Sequence, residues 1–140
     1  MTLIEQIAYY LHENNIGIFD PTGVTGNIFL ATVPDKPDQC IAIFPAGGTQ
    51  SNGKLAYDNP NIQIWIRGSN NPITGMVKAQ DIYDLLHGFY QSRFYPDGNY
   101  ILDCLGQQSA PISIGKDSQG RFEFSLNFKI EHQNINRRNS

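Results

Sequence analysis

Strict alternation of apolar and polar residues runs from Arg121 to Glu131. Phe122, Phe124, Leu126, Phe128 and Ile130 fall on one side, and Arg121, Glu123, Ser125, Asn127, Lys129 and Glu131 on the other. Successive side chains of a strand point to opposite faces, so this segment predicts a strand with one core face. Pro111-Ile-Ser-Ile-Gly-Lys116 and the turn Asp117-Ser-Gln-Gly120 precede it, which predicts a hairpin with Gly120 at the position that wants positive φ. Ile62, Ile64 and Ile66 alternate with Gln63, Trp65 and Arg67 and predict a second half-buried strand.

Helical spacing appears twice. Leu3, Ile4, Ile7, Ala8 and Leu11 form a stripe over Thr2 to about Asn14; Thr2 and Glu5 stand at capping-box spacing, and Asn14-Asn15 with Gly17 supply the stop. Met76, Ala79, Ile82, Tyr83, Leu86, Phe89 and Tyr90 form a second stripe over roughly Pro72 to Tyr90, with Lys78, Asp81, Asp84 and His87 outward. Asn27 to Val33 and Gln39 to Phe44 read as strands in a hairpin-like pair joined through Pro34-Asp-Lys-Pro-Asp38, and Tyr100 to Leu105 reads as another strand. Pro45 to Asn61, rich in Gly and Asn, is expected to be the least structured stretch. The order is α-β-β-β-α-β-β-β. This predicts an α+β fold: a mixed, mainly antiparallel sheet with two helices packed on one face. One domain is expected over 1–133, with a polar, frayed tail over 134–140.

Composition narrows the function more than the fold. Only 16% of residues are charged and the net charge is -3, which suits a surface that meets other protein and argues against a protein held to nucleic acid by phosphate contacts. Cys40 and Cys104 sit in apolar strand-like runs and read as buried free thiols of a reducing compartment. The N-terminus lacks the pattern of a signal peptide, and no apolar run is long enough to cross a membrane.

Catalytic chemistry finds little support. Gly48-Thr-Gln-Ser-Asn-Gly-Lys54 has P-loop spacing, but Leu55 replaces the Ser or Thr that would bind magnesium, and Asp58-Asn-Pro60 breaks the helix such a loop needs. His12, His87 and His132 lie in different elements without metal-ligand spacing, and His12 and His87 occupy outward helix positions. A thiol–imidazole pair from Cys40 or Cys104 with His87 would make the chain an enzyme, but buried strand cysteines are usually inert. Asp81 and Asp84 beside Lys78 read as solubilising charge. No catalytic residue, cofactor or metal is predicted. Trp65 lies opposite the isoleucine face, where it either covers a second layer or anchors an interface, and Arg67 shares that face with charge to offer a partner. With Lys54 and Tyr57 from the glycine-rich stretch, these are the candidate interface residues.

Ile62-Gln-Ile-Trp-Ile-Arg-Gly68, Ala79-Gln-Asp-Ile-Tyr-Asp-Leu-Leu-His-Gly88, Gly115-Lys-Asp-Ser-Gln-Gly-Arg121 and Ser125-Leu-Asn-Phe128 occur in this order. The set resembles the minor capsid or tail-terminator proteins of long-tailed bacteriophages, over roughly Thr2 to Glu131. That resemblance implies a non-enzymatic subunit that closes into a ring, a hexamer, caps the tail tube and joins tail to head. Its implied partners are copies of itself, the tail-tube protein and a head connector or head-completion protein, with DNA passing through unbound. It implies host cytoplasm during assembly and then the tail–head junction of the virion. The stretch 46–61 would be a docking arm. A different neck or head-completion protein of the virion, or a small ligand-binding domain, would also fit the sequence.

Overall fold

A computed structural model describes residues 1–51 and 57–134. Among the described residues, two helices, α1 (Leu3–Glu13) and α2 (Pro72–Leu86), accompany seven strands: β1 (Ile28–Leu30), β2 (Cys40–Thr49), β3 (Tyr57–Arg67), β4 (Ser92–Arg93), β5 (Tyr100–Gly106), β6 (Ile112–Lys116) and β7 (Phe122–Gln133). The fold is α+β, in the predicted order, with the two-residue β4 as an unpredicted addition. Strands run β1-β2-β3-β7-β5-β4 across a mostly antiparallel sheet, and β6 pairs with β7 beside β5.

Register follows the alternation. Ile62 pairs with Phe128, Ile64 with Leu126 and Ile66 with Phe124, while β2 adds Ile41 and Ile43 to the same face. Ile7, Ala8 and Leu11 of α1 and Ala79, Ile82 and Leu86 of α2 close over them in one buried cluster. Each helix start is capped as its sequence dictates. The Thr2 hydroxyl accepts from the Glu5 amide, Glu5 accepts from the Thr2 amide, and the Asn71 side chain accepts from the Ile73 amide ahead of Pro72. Asn15 takes the left-handed conformation that ends α1.

Three expectations are corrected. First, β1 and β2 are parallel, Ile28 beside Ile41 and Leu30 beside Ile43, so they form no hairpin. Parallel partners need a connection that crosses back, and the segment 31–39 makes that return. Second, much of the stretch expected to lack structure is strand: β2 continues to Thr49 and β3 begins at Tyr57. Pro45, Gly47, Gly48 and Pro60 read as breakers, but a bulge absorbs them. The register shifts between Pro45 and Gly48, and Gly47 and Gly48 take positive φ. A Cβ on Gly48 would strike the Asn59 carbonyl. Residues 52–56, Lys54 among them, and 135–140 of the expected tail lie outside the described residues.

Third, α2 ends at Leu86, four residues early, capped by His87, and its buried stripe is Gly75, Ala79, Ile82 and Leu86. Met76 and Tyr90 are exposed instead. A glycine is invisible to a hydrophobic stripe. Here Gly75 lies against Gly68, where a Cβ on either would come within 3.3 Å of the other's backbone, and over the ring of Phe124. His87 is exposed and His12 half-buried, in keeping with their outward positions, and each ring is engaged. Nδ1 of His12 accepts from the Phe19 amide at 3.0 Å, and Nδ1 of His87 accepts from the Gly106 amide at 2.9 Å with its ring stacked on Tyr83.

Candidate functional site

The helix-free face of the sheet carries the residues opposite the core. Ala42, Trp65, Ser125 and Ile112 form one row across four strands. Trp65 is half-buried and donates through Nε1 to Glu123 at 2.8 Å, so its polar atom is engaged within the subunit while part of its ring stays open. Ile112 and Leu105, beside Ser125 and Lys129, are about two-fifths exposed at 40% and 43%. Tyr57, at the far end of β3, is exposed.

Arg67 is placed differently from the expectation. It is only 4% exposed, and its guanidinium donates to the carbonyls of Asp38, Pro34 and Pro37, each at 2.7 Å, and of Asp35 at 3.2 Å. It fastens the returning segment to the end of β3. A second buried arginine grips that segment from β7's side. Arg121 bonds the Asp35 carbonyl at 2.7 Å and the carboxylates of Asp117, Asp38 and Asp35 at 2.8, 3.1 and 3.2 Å. Sequence reasoning places Arg121 on a polar strand face and misses this clamp. Its only signal is a parallel β1–β2 pair with a short, carbonyl-rich return, which local pattern does not reveal.

The clamp is expected to make the subunit acid-sensitive. The Gln119 amide and Arg121 hold Asp35 below the usual carboxylate range, Lys36 and Arg121 do the same for Asp38, and the Arg121 backbone amide leads the lowering of Asp117. A carboxylate with a depressed folded-state pKa stabilises the fold above its unfolded pKa, near about 4, and that contribution is lost as pH falls through the depressed value. Urea unfolding between neutral pH and about pH 2 is expected to show stability declining on the acid side, and the Arg121→Gln variant to show a flatter decline. An equally steep decline in the variant would separate acid sensitivity from the clamp.

The outward face of α2 is the other unusual surface. Ile73, Met76 and Val77, one turn apart, are each about half exposed. Asp81 and Asp84 continue the same face, although carboxylates late in a helix oppose its dipole. The thiols offer no nucleophile: burial pushes Cys104 up to about 12 and raises Cys40 as well. Among the described residues, no three His, Cys, Asp or Glu side chains gather to hold a metal. No helix among them is long and apolar enough to cross a membrane.

Residues 10–134 match the family model described as bacteriophage tail terminator protein. The chain belongs to that family. The match covers both helices, apart from the first turns of α1, and every strand among the described residues. No curated protein matches the chain. As a tail terminator it is a structural protein of the phage virion that works through contacts with other tail or head proteins, and the family is not enzymatic.

Proposed function

We propose that copies of this tail terminator close into a ring, a hexamer by family resemblance, that caps the tail tube, ends its polymerisation and joins it to the head through a connector or head-completion protein. Assembly takes place in the host cytoplasm, and the ring then stays at the tail–head junction with DNA passing through it. The observation that carries the reading is the pair of apolar surfaces on opposite layers. Ile73, Met76 and Val77 point away from the sheet on the helix side. Ile112 and Leu105 point away from the helices on the other side. Clustered exposed apolar groups such as Ile73, Met76 and Val77 mark contact surfaces, while Ile112 and Leu105 flank residues four positions apart on β7. Two different surfaces facing apart suit a head-to-tail contact, which closes into a ring when its rotation divides a full turn. The arm formed by the outer halves of β2 and β3, with Tyr57 exposed on it, is left to meet the tube or the adjacent subunit.

Met76→Asp tests this. The side chain is 46% exposed, so the subunit should fold with unchanged thermal unfolding. Burying the new carboxylate in a contact is costly. Native mass spectrometry is therefore expected to show monomer under conditions where the parent protein forms a closed oligomer. Unchanged oligomers in the variant would remove α2 from the interface.

A further inference from the structure

We propose that the cavity between the first turn of α2 and the adjoining ends of β2 and β3 is an anion site that takes one oxyanion group, a carboxylate or an inorganic phosphate. The inference concerns the single subunit and stands apart from ring formation. Arg67 and Lys78 both line the cavity, together with Thr74, Asn27 and Gln39, and among the described residues no acidic one lines it. Its volume is about 70 Å³, roughly the share of two water molecules and enough for one carboxylate or tetrahedral oxyanion.

Charge is the argument. Arg121 and Arg67 are almost equally buried, at 7% and 4% exposure. Arg121 has three carboxylates within 3.2 Å. Arg67 donates to four backbone carbonyls, which are dipoles and carry no net charge. Lys78 donates from Nζ to the Ile16 carbonyl at 2.7 Å, also neutral. Among the described residues, neither Arg67 nor Lys78 has a carboxylate oxygen within 4 Å. Glu123, the cross-strand neighbour of Arg67, has its Oε2 engaged by the Trp65 indole. Burying a cation is costly unless an anion pairs with it, and here buried Arg67 and half-buried Lys78 border one small hole. The first turn of α2 adds to the positive potential through Thr74 and Gly75, which also line it. The close packing of Gly68 on Gly75 brings that turn down to the end of β3.

Amide NMR titrations with sodium phosphate and with sodium acetate, against sodium chloride at matched ionic strength, test the site. Saturable shifts at Gly68, Thr74 and Gly75 are expected with at least one of the two anions. Lys78→Met keeps the aliphatic stem and is expected to weaken that binding about tenfold, the effect of losing one charge-assisted contact. Lys116→Met, at an exposed lysine that is not among the lining residues, should leave it unchanged. Saturation by phosphate assigns the site to a free inorganic ion, and saturation by acetate alone assigns it to a carboxylate delivered by another chain. Shifts no different from those with chloride, or binding that Lys78→Met leaves intact, would overturn the proposal.

Discussion

Arg67→Met is expected to free the segment that returns from β1 to β2 and to lower stability by about 2–3 kcal/mol. Methionine keeps the packing volume of the stem but removes every donor. Four carbonyl oxygens, on Pro34, Asp35, Pro37 and Asp38, then lose their partner. An orphaned buried polar group costs about 1–3 kcal/mol. The segment is exposed enough to recover water for some of these oxygens by lifting away, which keeps the total below a simple sum. Lifting also draws Asp35 and Asp38 from Arg121, so hydrogen exchange should rise together at β1 and at the start of β2. Urea unfolding measures the loss. A variant as stable as the parent, with exchange unchanged at β1, would show that the segment holds itself in place.

Phe124→Ala is expected to cost about 3–5 kcal/mol, the transfer term plus the cavity left behind. Phe124 is 2% exposed and pairs with Ile66 across the sheet. Gly75 of α2 rests directly on its ring, at a distance where a Cβ would come within 2.8 Å of it. The removed ring is therefore replaced by nothing on the helix side, because glycine has no side chain to move inward. The same geometry predicts a partial rescue. Gly75→Ala in the Phe124→Ala background should be better tolerated than Gly75→Ala alone, measured as a coupling in a double-mutant cycle. Additive effects would mean that the two residues do not press on each other.

These two sites also mark where the sequence can be read and where it cannot. The β3–β7 pairing is legible because period-two alternation encodes both faces of a strand, and the capping box at Thr2 and Glu5 is a local signal. The α2 stripe reads one residue out of phase at its start. The contact there is made by Gly75, whose small size matters only against Phe124, a residue forty-nine positions away in the chain. The arm of β2 and β3 is hidden because Pro45, Gly47, Gly48 and Pro60 resemble loop residues until the bulge that accommodates them is seen. Arg67 reads as a free interface charge because alternation assigns its face correctly and cannot show that the returning segment covers it. Trp65 lies on its expected face with an internal partner, and Tyr57 is exposed; Lys54 falls outside the described residues. Interface residues are written in tertiary surroundings and in partners, and single-strand patterns carry neither.

The family assignment rests on the match over 10–134, while ring closure and tube capping are claims about assembly. The most direct measurement is electron microscopy of purified tail tubes with and without the protein, combined with the native mass of the bound species. The account predicts a closed oligomer seated at one end of each tube and no further lengthening of capped tubes when tube subunits are supplied. Tubes that keep growing in its presence, or protein that binds as isolated monomers along their sides, would contradict it.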